Sequence, residues 1–245
     1  MRLVRDLGDA LGFLTLLPVA RRRRLADAPV GFGAAAFPLV GLLLGLLAFA
    51  TDAATGFLPE RLRDIEILLV WAIATGALHY DGLADTLDAL GGRDREERLM
   101  VMRDGSIGSF AALGLLMAVA AKLSALELLG GADRARALLA APMLGRWAML
   151  VTAFRAPAAR PDGLGASFVR TLEPRAIIIA TSMIALAISF LAGARGFAVS
   201  AIVAAGALLV RRLAVTAFGG VTGDVLGASG EVAEVLALVF FAAWS

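Results

Sequence analysis

Three aspartates in one short segment have the types and spacing best suited to chemistry. Asp81, Asp85 and Asp88 stand four and three residues apart, so a helix would carry all three carboxylates on one face. Such carboxylates repel one another at neutral pH unless a cation compensates. Oxygen ligands favour a hard ion such as Mg²⁺, which proteins often bind through one or two carboxylates plus substrate phosphates. The spacing favours a Mg²⁺ site, and the competing interpretation is a solvated acidic helix face.

Arginines and glycines follow this acidic segment. Arg93, Arg98 and Arg103 suit bidentate binding of phosphates. Gly105 and Gly108 suit an anion-binding turn before a following helix. The alternatives are a salt-bridged surface helix and glycines that merely separate two helices.

A glycine-rich segment, residues 219–224, adds further acids near the C-terminal end. Asp224 and Glu231 stand seven residues apart, on one face if this segment is helical. The alternative is a glycine-rich turn followed by an ordinary helix N-terminus.

Composition excludes several other kinds of site. The 245 residues include no cysteine and one histidine, His79, which excludes thiolate sites, disulfides and sites built from several histidines. The formal net charge of +2 is too small to indicate nucleic-acid binding. Chemistry in this chain must therefore use carboxylates, arginines, hydroxyls or backbone groups.

Apolar runs long enough to cross a bilayer surround these polar segments. Hydrophobic residues make up 60% of the chain, against roughly 45–50% in an ordinary soluble domain. Since a span needs about 20 mostly apolar residues, we expect one all-α, polytopic membrane domain over residues 1–245 with about seven spans. The runs lie at 33–51, 65–80, 105–126, 137–154, 176–194, 196–210 and 232–244. The last is short, and to span it must extend back into the preceding loop.

Two details concern contacts inside this bundle. Gly41 and Gly45 offer a small-residue face for helix packing. Lys122 and Arg146 fall within adjacent spans, where a cation needs a partner or access to water. We expect structural or snorkelling roles for both cations.

The N-terminal segment, residues 2–17, predicts an amphipathic helix. Leu3, Leu7, Leu11 and Leu14 recur at about helical spacing, with charged residues off that stripe. We expect this helix to lie at the membrane interface or to dip into it.

The arginines predict an orientation. If residues 21–24, four consecutive arginines, are cytoplasmic, seven alternating spans leave 16 arginines inside and 5 outside, as the positive-inside rule requires. The segments 81–107 and 211–231 then share the cytoplasmic side, where their acids can form one site.

A family resemblance begins with the ten residues His79 to Asp88. It continues through Gly91-Gly92, Arg98, Met102-Arg103-Asp104, Ile107-Gly108 and Thr222-Gly223-Asp224-Val225-Leu226-Gly227-Ala228. With the chain length and the pattern of apolar runs, these segments resemble the cobalamin synthase family, the adenosylcobinamide-GDP ribazoletransferases.

The resemblance implies a Mg²⁺-dependent transferase of the bacterial inner membrane with its active site facing the cytoplasm. Such an enzyme transfers GDP-activated cobinamide to α-ribazole or its 5′-phosphate, releases GMP and forms adenosylcobalamin or its phosphate. The implied partners are these substrates and the lipid bilayer, with other corrinoid-biosynthesis enzymes as a further candidate and no nucleic acid.

The resemblance also implies roles for individual residues. The metal ligands are Asp81, Asp85 and Asp88, and one of these or Asp224 is the base, so that all four are catalytic. The implied substrate-binding residues are His79, Arg98, Arg103, Asp104, Thr222 and Glu231.

Three other functions stay open at this point. A CDP-alcohol phosphotransferase uses comparable carboxylates, but its usual acid spacing is not matched by residues 81–88. A cation transporter would place acids along a midplane path, whereas here the acids lie at one edge. A non-catalytic scaffold for corrinoid enzymes would tolerate loss of the acids.

Overall fold

A computed structural model describes residues 2–16 and 31–245. The arginine run at 21–24 lies outside these ranges. In the described residues the chain is helical apart from its loops and one parallel β-bridge between Ala158 and Val221. The helices are α1 (Arg2–Leu14), α2 (Phe37–Ala54), α3 (Glu60–Thr75), α4 (Leu78–Ala89), α5 (Arg95–Asp104), α6 (Ser109–Leu128), α7 (Gly131–Ala153), α8 (Leu164–Thr171), α9 (Pro174–Leu191), α10 (Gly193–Phe218) and α11 (Gly223–Ala243), with a 3₁₀ helix (Gly31–Ala36) before α2.

The all-α, polytopic membrane fold is confirmed. In the part of the chain that the structure describes, five helices are long and apolar enough to cross a membrane: α2 with the end of its 3₁₀ helix, α6, α9, α10 and α11. The pair α3 and α4 adds a sixth if it is one broken span. Helix α7 coincides with a predicted span, but it begins among charged residues and carries Arg146 at its middle. Five helices of the described chain, or six with the bent pair, therefore meet this description by length and composition, and the predicted number of about seven spans is approximate.

The predicted span 65–80 ends early, at Thr75. Gly76 and Ala77 both have positive φ, 62° and 55°, and the chain bends by 88° into α4. Glycine suits the positive φ at position 76 because it has no Cβ, and the exposed side chain of Leu16 lies over this turn. His79 consequently begins α4 instead of ending a span.

Helix α11 begins earlier than the predicted run 232–244. Thr222 caps it, accepting a hydrogen bond at its Oγ1 from the backbone N–H of Val225 at 3.2 Å. The first half of this helix is the segment predicted as a loop, so the helix has 21 residues, enough to span.

Helix α7 runs through the middle of the bundle, between α2 and α11. A Cβ at Gly41 would lie 2.5 Å from Met143 Cα, and one at Gly45 would lie 2.8 Å from the carbonyl oxygen of Leu138. The two backbones therefore approach as closely as glycine allows, which confirms the predicted small-residue face.

The five arginines predicted to lie outside form ion pairs at one end of the bundle. Arg134 bonds Asp52 at 2.8 Å and Asp64 at 2.7 Å, joining α2, α3 and α7. The other pairs are Arg61–Glu127, Arg63–Asp52, Arg136–Asp133 and Arg195–Asp133. This end holds the N-terminal turn of α7, whereas the cavity described below lies near the C-terminal turns of that helix.

The predicted N-terminal helix is present as α1, and its apolar side packs against the protein. Ala10 and Leu14 are fully buried. The ring of Phe13 stacks on Phe37 and Phe168 at centroid separations of 6.0 and 5.6 Å. Helix α1 is therefore anchored to α2 and α8, which brings its C-terminal end to the cavity.

Candidate active site

A cavity of about 500 Å³ opens between the first turns of α4 and α11. Helix α4 contributes His79 and Asp81 to its wall, and the start of α11 contributes residues 222–224. Residues 160 and 162–166, the end of α1, the turn at 75–76 and Met149 also line it. The two polar segments predicted to share one side of the membrane therefore meet at one cavity.

Two glycines allow α4 and α11 to approach so closely. A Cβ at Gly82 would lie 2.7 Å from the carbonyl oxygen of Asp224, and one at Gly227 would lie 3.3 Å from His79 Cα. Because no side chain separates the helices here, Asp81 of α4 and Asp224 of α11 reach the same cavity.

Asp81, Asp162 and Asp224 line the cavity, whereas Asp85 and Asp88 are not among its lining residues. Asp85 is repelled by Asp81, Asp224 and Asp88 and attracted by Arg160. Asp224 accepts a hydrogen bond from the Thr222 hydroxyl at 3.2 Å. Across residues 2–16 and 31–245, no three histidine or acidic side chains are grouped as a metal site. Since Mg²⁺ often takes only one or two protein carboxylates together with substrate phosphates, its binding here stays a prediction.

Asp88 has a structural use that its spacing did not indicate. Its two carboxylate oxygens accept hydrogen bonds from the backbone N–H groups of Gly108 at 2.6 Å and Ala111 at 2.9 Å. Asp88 therefore caps α6, and the Gly108 N–H predicted for an anion is already bonded. The predicted role of Asp88 as a metal ligand competes with this cap.

Arg98 is held by backbone carbonyls. Its Nε donates to Gly92 at 2.9 Å and its Nη1 to Ala217 at 3.3 Å. These bonds join α5 to the loop before it and to the end of α10. The predicted contact of Arg98 with a phosphate stays a prediction.

Arg103 and Asp104 lie on the surface near the mouth of the cavity. Arg103 pairs with Asp162, a lining residue, at 3.3 Å, and both side chains are more than half exposed. Asp104 accepts a hydrogen bond from the Ser106 hydroxyl at 2.7 Å. Both residues are accessible to a ligand that extends out of the cavity.

His79 is a buried, unsatisfied side chain in the cavity wall. It is 2% exposed, and neither ring nitrogen has a hydrogen-bond partner in the structure. Since buried polar groups are normally hydrogen-bonded, the imidazole is available to a ligand in the cavity.

Glu231 lies inside the bundle with another charge. Its carboxylate is 2.7 Å from Lys122 Nζ, and both side chains are almost fully buried. Lys122 also pairs with Glu234 at 2.5 Å, and Glu234 in turn bonds Arg146. The expected structural roles of Lys122 and Arg146 agree with these contacts, while the predicted contact of Glu231 with substrate stays a prediction.

Sequence reasoning missed Arg160, which lines the cavity 3.8 Å from a carboxylate oxygen of Asp224. The loop that carries it is joined to the start of α11 by the bridge at Val221, whose N–H donates to Pro157 at 2.9 Å and whose carbonyl accepts from Ala159 at 3.0 Å. In the sequence Arg160 was only one of 16 arginines on the predicted inner side. No spacing signal connected it to Asp224.

Fold and cavity together define a polytopic helical membrane protein with a charged cavity near one end of its bundle. The chain belongs to the cobalamin-5-phosphate synthase family, whose profile matches residues 6–242. It is 38% identical over 236 residues to the adenosylcobinamide-GDP ribazoletransferase of Syntrophobacter fumaroxidans, covering 94% of this chain and 95% of that protein.

Two further relatives carry the same name. The protein of Roseiflexus sp. is 36% identical, covering 95% of this chain and 87% of its own length. The protein of Pseudomonas putida F1 is 38% identical, and the match covers 92% of this chain and 93% of that protein. No solved structure matches the chain.

Proposed function

We propose that this protein is a membrane transferase that completes the nucleotide loop of cobalamin. It joins GDP-activated adenosylcobinamide to α-ribazole or its 5′-phosphate, and it releases GMP. Membership of the family and the names of its relatives support this activity.

The observation that carries the site assignment is the meeting of α4 and α11 at one cavity. Asp81 and Asp224 come from segments more than 140 residues apart, yet both line the cavity with Arg160 beside them. Phosphoryl transfer asks a protein mainly for positioning and for charge that stabilises the phosphates.

The reaction forms one bond and breaks one bond at phosphorus. A ribazole hydroxyl oxygen attacks the phosphoryl group attached to cobinamide, and the bond from that phosphorus to the GMP oxygen breaks. The attacking hydroxyl loses a proton, which a positioned carboxylate can accept. Asp81 and Asp224 are two of the three carboxylates in the cavity wall, and one of them is the proposed acceptor.

Mg²⁺ is part of this proposal. One or two of the carboxylates Asp81, Asp85 and Asp224 would hold it together with the phosphates of the substrate; these acids repel one another, and Arg160 attracts Asp85 and Asp224. When bound, the ion neutralises charge on the phosphates. Asp88 is the weakest candidate ligand because both its oxygens already bond the backbone of α6.

The proposed location is the bacterial inner membrane, with the cavity facing the cytoplasm. The excess of predicted internal arginines supports this orientation. The ion pairs of the five predicted external arginines support it too, since they gather toward the end of α7 away from the cavity.

Purified protein in liposomes, given GDP-activated cobinamide, α-ribazole and Mg²⁺, tests the proposal. We expect GMP release that EDTA stops and Mg²⁺ restores. Activity on a CDP-alcohol instead, ion flux without GMP release, or activity that survives loss of Asp81 and Asp224 would contradict it.

A further inference from the structure

The side chain of Arg160 is mostly buried at the cavity, yet it is bonded at few of its donors. A guanidinium carries five N–H donors. In Arg160, Nη2 makes one long hydrogen bond, 3.4 Å, to the Leu99 carbonyl, and Nε is buried without a partner. Its ion pair with Asp224, at 3.8 Å, is longer than a hydrogen bond. Most of its donors are therefore free for another partner.

The backbone of Arg160, by contrast, is firmly placed. The preceding residue, Ala159, donates its N–H to Val221 at 3.0 Å and accepts a hydrogen bond at its carbonyl from Arg95 Nη2 at 2.8 Å. Arg95 Nε also donates to the Phe218 carbonyl at 2.8 Å. A fixed backbone with an underused guanidinium is the arrangement expected of a binding arginine rather than a structural one.

Asp81, Asp162 and Asp224 line the same cavity as Arg160, so an anion would bind there together with a cation, and two features mark where its negative charge would lie. Among the described residues that line the cavity, Arg160 is the only lysine or arginine. The N-terminus of the 21-residue helix α11 opens into the same cavity, where the helix dipole favours negative charge. His79 also lines this cavity, and both nitrogens of its buried ring lack a hydrogen-bond partner in the structure.

We propose that Arg160 binds the pyrophosphate of a nucleoside diphosphate ester in this cavity, with His79 supplying a further hydrogen bond. The identity of the anion in this inference rests on the proposed function. It moves the main phosphate contact from Arg98, whose donors serve backbone carbonyls, to a residue of the loop before α8.

Direct binding of GDP and of inorganic pyrophosphate, each with Mg²⁺, tests the proposal by calorimetry on the full chain in nanodiscs. We expect Arg160→Gln to weaken both by roughly ten- to a hundredfold, the range of one or two charge-assisted hydrogen bonds. The KM for GDP-activated cobinamide should rise similarly, and the KM for α-ribazole should stay near wild type. His79→Asn should weaken binding less.

Two control variants separate binding from folding. Arg212→Gln, at an exposed position of α10, should bind pyrophosphate like wild type. Arg160→Lys keeps a charge beside Asp224 but lacks the planar fork, so it should fold and still lose about tenfold in affinity. If Arg160→Gln does not fold, Arg160→Lys decides, and wild-type affinity in that variant would overturn the proposal.

The outcomes also distinguish this inference from the proposed function. If the protein binds pyrophosphate through Arg160 but releases no GMP, the proposed function is wrong and the anion site at Arg160 is still supported. If the Arg160 variants release GMP and bind pyrophosphate like wild type, the proposed role of Arg160 is wrong and the proposed function stands. The same follows if Arg103→Gln, and not Arg160→Gln, loses both. A wild-type protein that binds neither GDP nor pyrophosphate would overturn that role as well.

Discussion

Lys122 Nζ lies 2.7 Å from the carboxylate of Glu231 in the interior of the bundle, where the two side chains are 1% and 4% exposed. Lys122 belongs to α6 and Glu231 to α11, so the pair fixes one helix along the other. With Glu234 and Arg146 added, two positive and two negative side chains balance. Breaking such a buried pair leaves an uncompensated charge, whereas removing both partners need not.

We therefore expect Lys122→Met to lower the free energy of unfolding by about 3–5 kcal/mol, the usual cost of breaking a buried pair. The double variant Lys122→Met with Glu231→Gln should recover much of that loss because the charges balance again. Thermal unfolding in detergent measures both. Arg61→Gln is the matched control, since its pair with Glu127 is 80% and 47% exposed and should change stability little. Equal losses in the single and double variants would contradict the charge-balance interpretation.

Asp81→Asn and Asp224→Asn should fold and lose most GMP release. Because residues at one centre act as a unit, the double variant should lose far less than the product of the two single losses. Steady-state rates for the three proteins make this comparison. Losses that simply multiply would place Asp224 outside the site.

Asp88→Asn should act first on stability. Asparagine has one side-chain acceptor oxygen, so either Gly108 or Ala111 would lose its partner. We expect a loss of about 1–2 kcal/mol, as for other helix caps. Activity per folded molecule should fall much less than in Asp81→Asn. An inactive variant of wild-type stability would instead favour Asp88 as a metal ligand.

Gly82→Ala should separate α4 from α11. The added Cβ would meet the Asp224 backbone at 2.7 Å, and overpacking of this kind costs typically 1–3 kcal/mol. Loss of activity should exceed that of Gly227→Ala, where the contact is 3.3 Å. Gly130→Ala, with no heavy atom within 4 Å of the new Cβ, is the control. Unfolding and GMP release are the readouts, and full activity in Gly82→Ala would show that the close approach is dispensable.

The proposed orientation predicts the side of two loops. A topology reporter inserted within residues 93–98 should be cytoplasmic, and one at 131–135 should be periplasmic. The second position contains Arg134, which pairs with Asp52 and Asp64. A periplasmic signal at 93–98 would place the cavity on the other side of the membrane.

The sequence predicted the features that depend on the spacing of apolar residues and on the distribution of arginines between the two sides of the membrane. Apolar runs located the spanning helices, and the arginine distribution placed Asp81 and Asp224 on one side. The sequence could not show that Asp88 caps α6, because this depends on where α4 ends relative to the start of another helix. Nor could it show which helix faces Glu231, since spacing fixes a face on its own helix and not the neighbour.

Arg160 illustrates a second limit. Its place at the cavity depends on a loop joined to the start of α11 by two backbone hydrogen bonds at Val221. Backbone pairing between irregular segments has no side-chain pattern, so no motif marked it. The same holds for the turn at Gly76 and Ala77, whose positive φ values separate α3 from α4 within an apolar run.

The bend of 88° between α3 and α4 decides how the acids are arranged relative to the bilayer. If α3 crosses the membrane along its normal, the bend turns α4 toward the membrane plane. Asp81, Asp85 and Asp88, spread over about 10 Å of helix, then differ in lateral position while sharing one depth. If α4 continued α3 in a straight line, the three aspartates would lie at different depths, spread over two helical turns between water and hydrocarbon. The bend would therefore present the acidic face of α4 to a large substrate that approaches along the membrane surface.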